Sequence, residues 1–233
     1  MKMRKGFGIC CIALGICCLI ASVGFIVHNN WKEETAQNSS KNILQDIQEN
    51  ILVIKHEESI SEDIERDESE EISIDILQDE SEEISIDIPQ DESEEIFIDI
   101  PQEMPATQVD GYDCIGILSI PVLELELPVL TDWSYAKLKI APCHYFGSYY
   151  EKDFVIAAHN YQSHFGRLSD LQPKDLILFT DISGTVHCYE VVLLETLPAD
   201  ATEEMITSGF DLSLYTCTPG GANRVTVRCN VVE

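Results

Sequence analysis

An uninterrupted apolar run near the N-terminus limits what this chain can form more than any other feature. The run, FGICCIALGICCLIASVGFIV, extends from Phe7 to Val27, and its 21 residues include no charge. About 20 helical residues are enough to cross the hydrocarbon core of a bilayer. Lys2, Arg4 and Lys5 precede the run. This excess of positive charge predicts that the N-terminus stays in the cytoplasm and that the chain after Val27 is extracellular.

A cleaved signal peptide is the alternative interpretation of the run. Signal peptides have a shorter apolar region, of about 7–15 residues, followed by a cleavage site between small residues. The sequence His28-Asn-Asn-Trp31 does not provide such a site. We therefore expect a cytoplasmic tail at residues 1–6 and an uncleaved, single-pass anchor at 7–27 that holds the protein in the cell membrane.

The acidic charge of the chain is concentrated in one segment. The sequence has 42 acidic and 14 basic residues, a formal charge of −28. Residues 56–103 hold 21 of the acids and a single base, Arg66, whereas residues 111–233 hold 16 acids and 7 bases. This balance excludes a nucleic-acid partner of the sequence-independent kind, because such proteins need a basic face.

Most of the acidic segment consists of a repeated unit at residues 67–102. We expect the repeats to form a solvated, disordered spacer, because each unit carries only acidic charges and Pro89 and Pro101 interrupt any long element. The alternatives are a solenoid, transient strands formed by the alternating Ile residues, or a partner-binding motif. The three units are DESEEISIDILQ, DESEEISIDIPQ and DESEEIFIDIPQ.

The whole segment 28–110 is predicted to be an extracellular stalk. One short helix is expected within it, over residues 40–54, because several apolar residues there share a helical face. A flexible chain of this length reaches on the order of 50 Å, which would hold the last domain away from the bilayer. The residues on the apolar face are Ile43, Leu44, Ile47, Ile51 and Ile54.

Residues 111–233 form the predicted folded domain. Short apolar runs alternate there with turn sequences, which indicates an all-β barrel or sandwich. Short helices are expected near Arg167–Leu171 and Ala201–Thr207. The eight predicted strands lie near 114–119, 125–130, 136–140, 153–158, 175–180, 186–196, 211–217 and 224–232.

The last two strands can be aligned as a hairpin. If Cys217 faces Arg224, Leu214 faces Val227, so that apolar residues meet on one face and polar residues on the other. Arg228 lies on the same face as Arg224 but four residues further along, at about 3.3 Å per residue about 13 Å away. We therefore expect Arg228 to tolerate replacement by Lys and Arg224 not to.

Cys217 is the candidate nucleophile among the five cysteines outside the apolar run. Their odd number and irregular spacing argue against a disulfide framework, and no Cys/His cluster suggests a metal site. Cys217 ends an apolar strand beside a predicted Arg neighbour, and a nearby positive charge favours the thiolate. The remaining four are expected to pack in the core: Cys114, Cys143, Cys188 and Cys229.

Cysteine chemistry also needs a group that moves protons, which is most often a histidine. His159 follows the apolar strand Phe154–Ala158, at a strand end where a scaffold can present a side chain. His144 and His164 lie in loop-like contexts and remain alternatives. His159 is therefore the favoured candidate without being the only one.

Several motifs of this domain together resemble those of the sortases, the membrane-anchored cysteine transpeptidases of Gram-positive surfaces. Ser213-Leu-Tyr-Thr-Cys217 is similar to the sortase TLxTC signature, with Ser in place of the first Thr. The hairpin from Cys217 to Arg228 resembles the end of the sortase barrel, and Ala158-His159-Asn160 resembles the strand with the sortase histidine. The stretch Ile115–Pro121 resembles the first barrel strand. The sortase class is not assigned by these motifs.

The resemblance implies a closed eight-stranded barrel with one or two short helices. It also implies that Cys217, His159 and Arg224 are catalytic, and that their neighbours Thr216 and Asn160 contact the substrate. The expected reaction cleaves an LPxTG-like motif through a thioester and needs neither metal nor cofactor. The implied partners are surface proteins with a C-terminal sorting signal and an amine from a peptidoglycan precursor or a pilin.

Two other functions are compatible with the same residues. A hydrolytic cysteine peptidase would use the same cysteine and histidine, although papain-like peptidases place the Cys before the His in the chain. In a non-enzymatic surface module, the stalk would be the functional segment. A sorting peptide with an added amine would distinguish the three.

Overall fold

The computed structural model describes residues 3–68 and 103–232 of the 233-residue chain. The acidic repeats from residue 69 onward lie outside the described residues, and so does their predicted extension. The described chain consists of one long helix, a β-barrel, and short helical turns between the strands.

Nine strands form the sheet, and eight of them close into a barrel. The closing pair is β2 with β6, and β1 adds a short strand to the start of β2. The predicted all-β, eight-stranded closed barrel is thus confirmed. The strands are β1 (Thr107–Val109), β2 (Tyr112–Ile120), β3 (Leu125–Leu130), β4 (Cys143–Phe146), β5 (Phe154–Ala157), β6 (Leu176–Asp181), β7 (Val186–Pro198), β8 (Leu212–Cys217) and β9 (Asn223–Val231).

A glycine permits the closure between β2 and β6. Gly116 pairs with Asp181, and a Cβ at position 116 would lie 2.2 Å from the carbonyl oxygen of Thr180. Any larger residue would push the two strands apart, so the barrel closes at a position that only glycine fills without displacing backbone.

The interior of the barrel is a single apolar cluster. It includes Ile115, Leu118, Phe154 and Phe179, all of which are fully buried. Its residues come from β2, β3 and β5–β9, which is seven of the eight barrel strands, as expected for a closed barrel. The strand ends that carry the candidate site are therefore fixed by a packed core.

The strand pattern differs from the sequence prediction at one side of the barrel. Residues 136–140 alternate in polarity but form a 3-10 turn, Lys137–Lys139, rather than a strand. Ser134 explains this, because its hydroxyl accepts a hydrogen bond from the Lys137 amide at 3.1 Å and starts the turn. The missing barrel position is taken by β4, which is too short for periodicity to indicate.

The two predicted helical stretches of the barrel do form short helices. A 3-10 turn covers Leu168–Asp170, and the helix α2 covers Thr202–Ile206. A further 3-10 turn, Pro121–Leu123, joins β2 to β3. All of these connect strands and leave the barrel itself unbroken.

The helix α1 extends from Met3 to Glu68 without interruption. Its described stretch from Leu14 contains an 18-residue window with a mean hydropathy of 1.5, and none of that window is buried in the protein. By length and composition this part of α1 is able to cross a membrane.

After the apolar window, α1 packs along the outside of the barrel. Ile43, Ile47 and Ile51 are buried against residues of the first strands, including Ile117 and Leu130. These three residues belong to the apolar helix face that the sequence predicts. In the structure this face packs α1 against the barrel. The part of α1 from Ile43 to Ile51, which lies within the predicted stalk and its predicted short helix, is therefore packed on the barrel.

Candidate active site

Three neighbouring strands, β5, β8 and β9, position the candidate residues. β5 pairs with β8 in parallel, with Ala157 opposite Tyr215, and β8 pairs with β9 in an antiparallel hairpin. In that hairpin Cys217 faces Arg224 and Leu214 faces Val227. The register predicted from the sequence is confirmed along the full length of β8.

The parallel pairing of β5 and β8 continues beyond the strand end. The amide of Ala158 donates to the carbonyl of Tyr215 at 3.1 Å, and the Thr216 hydroxyl donates to the carbonyl of Ala158 at 2.9 Å. β5 ends at Ala157, and continuing its register for two residues beyond that end would bring the backbone of His159 opposite that of Cys217, at one strand spacing of about 4.8 Å. His159, Cys217 and Arg224 thus occupy one row across three adjacent strands.

Cys217 differs from the other cysteines of residues 103–232 by its exposure. It is the only one of these five that is exposed, and all five are free thiols. Burial raises the pKa of Cys114 and of Cys143 to about 12, so both stay as inert thiols. Accessibility therefore favours Cys217 as the candidate nucleophile among these five, independently of its neighbours.

The two arginines of β9 have different environments. Arg224 is half-buried and donates through Nη1 to the carbonyls of Gly221 (3.0 Å) and Asn223 (3.1 Å). These bonds hold the guanidinium at the hairpin end, and Arg224 lines the same cavity as Cys217.

Arg228 is 1% exposed and is bound on all sides. Its Nε donates to the Glu195 carboxylate at 2.7 Å, and its Nη1 donates to the Ser213 hydroxyl at 2.8 Å. Its Nη2 donates to the carbonyl of Glu204 at 2.7 Å, which ties it to α2. These bonds hold Arg228 inside the protein and indicate a structural role.

His159 is half-buried, and its ring lies nearly parallel to that of Tyr161, with 4.0 Å between the ring centres. Burial lowers the pKa of His159, the positive charges of Lys139 and Lys32 add to this, and the Asn160 side chain opposes it. The imidazole is therefore neutral over more of the pH range than an exposed histidine, as suits a group that accepts a proton.

Two cavities of about 220 Å³ each adjoin the Cys217 side chain. The first has an aromatic wall, in which Trp133 packs against Tyr135 and Tyr145, and Tyr145 packs edge-on against Tyr215. The second is lined by loop residues that include Asn160 and Thr218. A peptide bound across Cys217 would have room on both sides of the scissile bond.

The aromatic wall was missed by the sequence analysis. Its residues come from the β3–β4 connection, from β4 and from β8, which are separated by about 80 positions along the chain. The one signal available was the density of aromatic residues around Trp133-Ser-Tyr135. Only the fold shows that these rings lie beside the nucleophile.

The two expected substrate contacts have different environments. Asn160 is half-buried and borders the second cavity, where a ligand could reach it. Thr216 is 3% exposed, and its hydroxyl is already bonded to the carbonyl of Ala158. Thr216 thus links the histidine strand to the cysteine strand.

The two alternative histidines have other environments. The ring nitrogens of His144 lie 3.1 Å from the Thr131 carbonyl oxygen and 2.8 Å from that of Gly147. His164 is fully buried, and desolvation lowers its pKa to about 4. His144 and His164, like His159, are not among the residues that line the two cavities at Cys217, so His159 is distinguished from them by its place directly after β5.

Comparison with known proteins agrees with the motifs. The sortase domain profile matches residues 118–232. A comparison with curated protein sequences found no match. Among solved structures, sortase A from Corynebacterium diphtheriae is 25% identical to this chain, with a TM-score of 0.48. The alignment covers 52% of this chain and 62% of the sortase A chain. This chain therefore spans about three fifths of the length of that structure.

Two further solved structures are similar to this chain. Sortase C1 from Streptococcus agalactiae is 25% identical, with 54% of this chain and 71% of that chain covered and a TM-score of 0.48. Sortase C from Clostridium perfringens, solved with the C-terminal cell wall sorting motif, is 22% identical, with 52% and 71% covered and a TM-score of 0.44. The profile match identifies residues 118–232 of this chain as a sortase domain, and the members of the sortase family are cysteine transpeptidases.

Proposed function

We propose that this chain is a membrane-anchored transpeptidase that cuts and rejoins peptide bonds at an LPxTG-like sorting motif through Cys217. The observation that carries the proposal is the row across β5, β8 and β9. It puts the exposed thiol between a histidine at a strand end and an arginine held by the hairpin.

In the first step His159 accepts the proton of the Cys217 thiol, and the resulting thiolate attacks the carbonyl carbon of the motif threonine. The C–N bond breaks and a thioester forms, while His159 donates a proton to the leaving amine. In the second step an incoming amine attacks the thioester and gives a proton to His159. The C–S bond breaks, a new amide forms, and the thiolate is restored.

Arg224 would stabilise the negative charge that develops on the carbonyl oxygen in both steps. Its guanidinium is always charged, and its bonds to the hairpin carbonyls fix its orientation before the substrate binds. The aromatic cavity beside Cys217 suits the apolar residues of a sorting motif, and Asn160 borders the other side.

The proposed setting is the outer face of the cell membrane, with residues 7–27 as the anchor and the N-terminus in the cytoplasm. The proposed substrates are surface proteins with a C-terminal sorting signal. The acceptor amine would come from a peptidoglycan precursor or from a pilin.

The test uses the full chain in detergent with a sorting peptide and an added amine, and identifies products by mass spectrometry. We expect the amide product from the unaltered protein and from Cys188→Ala, a matched control because Cys188 is a partly buried free thiol outside both cavities. Cys217→Ala should give none. Release of the free acid alone would indicate a peptidase, and full ligation by Cys217→Ala would refute the assignment.

A further inference from the structure

The loop that carries His159 is held from outside by the long helix α1. This loop runs from β5 to the 3-10 turn at Leu168. The Glu33 carboxylate accepts hydrogen bonds from the backbone amides of Gln162 (2.7 Å) and Ser163 (3.3 Å). A carboxylate that accepts two amide bonds makes a charge-assisted contact, which is stronger than a neutral one.

Tyr161 brings the same part of α1 close to His159, because it stacks on the His159 ring and lines one cleft together with residues of α1. Tyr161 is 8% exposed and stacks on the His159 ring. Ala36, one turn after Glu33 and 4% exposed, borders the same cleft as Tyr161. Burial and the negative charge of Glu33 both raise the pKa of Tyr161, so the helix affects this side chain electrostatically as well.

α1 is itself fixed to the barrel a few turns later. Ile43, Ile47 and Ile51 are buried with residues of the first strands. Glu33 and Ile43 are ten residues apart, which is about 15 Å along a helix. The segment that contacts the histidine loop is thus continuous with a docked helix and is held in a defined position.

We propose that the segment Trp31–Ser39 of α1 braces the catalytic loop, and that Glu33 is a positioning residue for His159. The inference rests on the proposed function, in which His159 moves protons at Cys217. Glu33 acts through the backbone of Gln162 and Ser163. It keeps His159 in register with Cys217 and keeps Tyr161 stacked on the imidazole ring.

The first test compares Glu33→Ala with Glu33→Gln in the full chain in detergent. The Ala variant loses the acceptor, and we expect kcat for ligation to fall about 10- to 100-fold with KM changed less than about twofold, since small misplacements of a catalytic group have effects of this size. The Gln variant keeps an acceptor oxygen and should recover most of kcat. Glu34→Ala is the matched control, because Glu34 is the exposed neighbour on α1.

The second test does not depend on activity. Hydrogen exchange at the amides of Gln162 and Ser163 should accelerate in Glu33→Ala and stay unchanged in Glu34→Ala. The pKa of His159, followed by NMR, should rise toward its ordinary value in Glu33→Ala, because loosening the loop admits water to the imidazole.

The outcomes separate the inference from the proposed function. Faster exchange with unchanged kcat would show a contact without a catalytic role and would overturn the inference alone. Faster exchange throughout β8 would show a general loss of stability and would also overturn it. Failure of the unaltered protein to ligate would refute the proposed function, and the exchange data would still show whether Glu33 holds the loop.

Discussion

Arg224 and Arg228 show how two identical side chains on one strand serve different purposes. The sequence places both on the same face of β9, and only the structure shows that one of them is enclosed. Arg224→Lys keeps the charge but loses the planar fork that bonds to two hairpin carbonyls. We expect ligation by this variant to fall about 100-fold, the loss typical of a misplaced oxyanion donor. An unchanged rate would remove Arg224 from the mechanism.

Arg228→Lys should affect stability instead. The sequence analysis expected this change to be mild, but Arg228 is buried with an ion pair to Glu195 and a bond to Ser213. A lysine cannot reproduce all four bonds of the guanidinium, to Glu195, Ser213 and the carbonyls of Met205 and Glu204, and leaving a buried partner unsatisfied costs about 1–3 kcal/mol. Urea denaturation should show the loss, while the ligation rate per folded molecule stays close to that of the unaltered protein. A stable variant with a low rate would contradict this role.

His164 predicts how stability depends on pH. It is fully buried, and desolvation lowers its pKa to about 4, so the unfolded chain binds a proton there more readily than the folded protein. Stability is therefore complete above about pH 6.5 and is lost as the pH falls toward 4, by up to about 3 kcal/mol. Urea denaturation at pH 7.5 and pH 4.5 measures this loss, which should shrink in His164→Leu.

The control for this prediction is His28→Gln, because His28 is exposed on α1. That variant should keep the full pH dependence of the unaltered protein. An equal loss of stability in the unaltered protein and in His164→Leu would assign the effect to other groups.

Among the secondary-structure elements, the hairpin of β8 and β9 was the easiest to predict. Its register depends only on adjacent residues, because matching Cys217 with Arg224 is the choice that also puts Leu214 opposite Val227. The pairing of β5 with β8 joins residues 58 positions apart, and periodicity carries no information on it. The motif resemblance implied that His159 acts together with Cys217 and Arg224, but the pairing of β5 with β8 was not predicted.

The elements that were mispredicted depend on local bonds or on long-range docking. Ser134 turns residues 137–139 into a helical turn despite their alternating polarity. The apolar face of α1 was recognised, but its partner surface on β2 and β3 has no signature in the helix sequence. An apolar helix face indicates that the helix packs against another surface. The identity of that surface depends on the rest of the fold.

The docking of α1 predicts a measurable cost for Ile47→Ala. Ile47 is fully buried between α1 and the barrel. Removing three carbons from such a site costs about 2–4 kcal/mol. Hydrogen exchange should accelerate in residues 40–54 of α1, and Leu52→Ala, at a side chain that is 68% exposed, should leave it unchanged. Equal exchange in the two variants would show that the helix is not attached in solution.

The arrangement of α1 and the barrel changes the expected place of the acidic repeats. The sequence analysis put them between the membrane and the catalytic domain. In the structure α1 contacts the barrel before the repeats begin, and the repeats connect the end of α1 to β1. The repeats therefore link α1 to the barrel on which α1 packs. The length of the acidic segment then does not set the height of the barrel above the bilayer.

The same arrangement places the active site close to the membrane in the proposed orientation. Glu33 follows Val27, the end of the predicted span, by six residues, which is about 9 Å along a helix. Gln162, which is bonded to Glu33, should therefore lie near the headgroups. Energy transfer from a fluorescent amino acid at position 162 to labelled lipids in proteoliposomes measures this height. We expect strong transfer, with the same value after residues 69–102 are replaced by a Gly/Ser linker.

A spacer role for the repeats would give the opposite result. Transfer from position 162 would then be weak in the unaltered protein, because the barrel would lie tens of ångströms from the lipid, and it would change with the linker. A donor at the exposed Lys174, on the connection before β6, is the control that reports the rotation of the barrel. If both positions gave weak transfer, the part of α1 next to the membrane would not be in contact with the barrel. If position 162 alone gave strong transfer, α1 would hold the loop that follows β5 toward the bilayer.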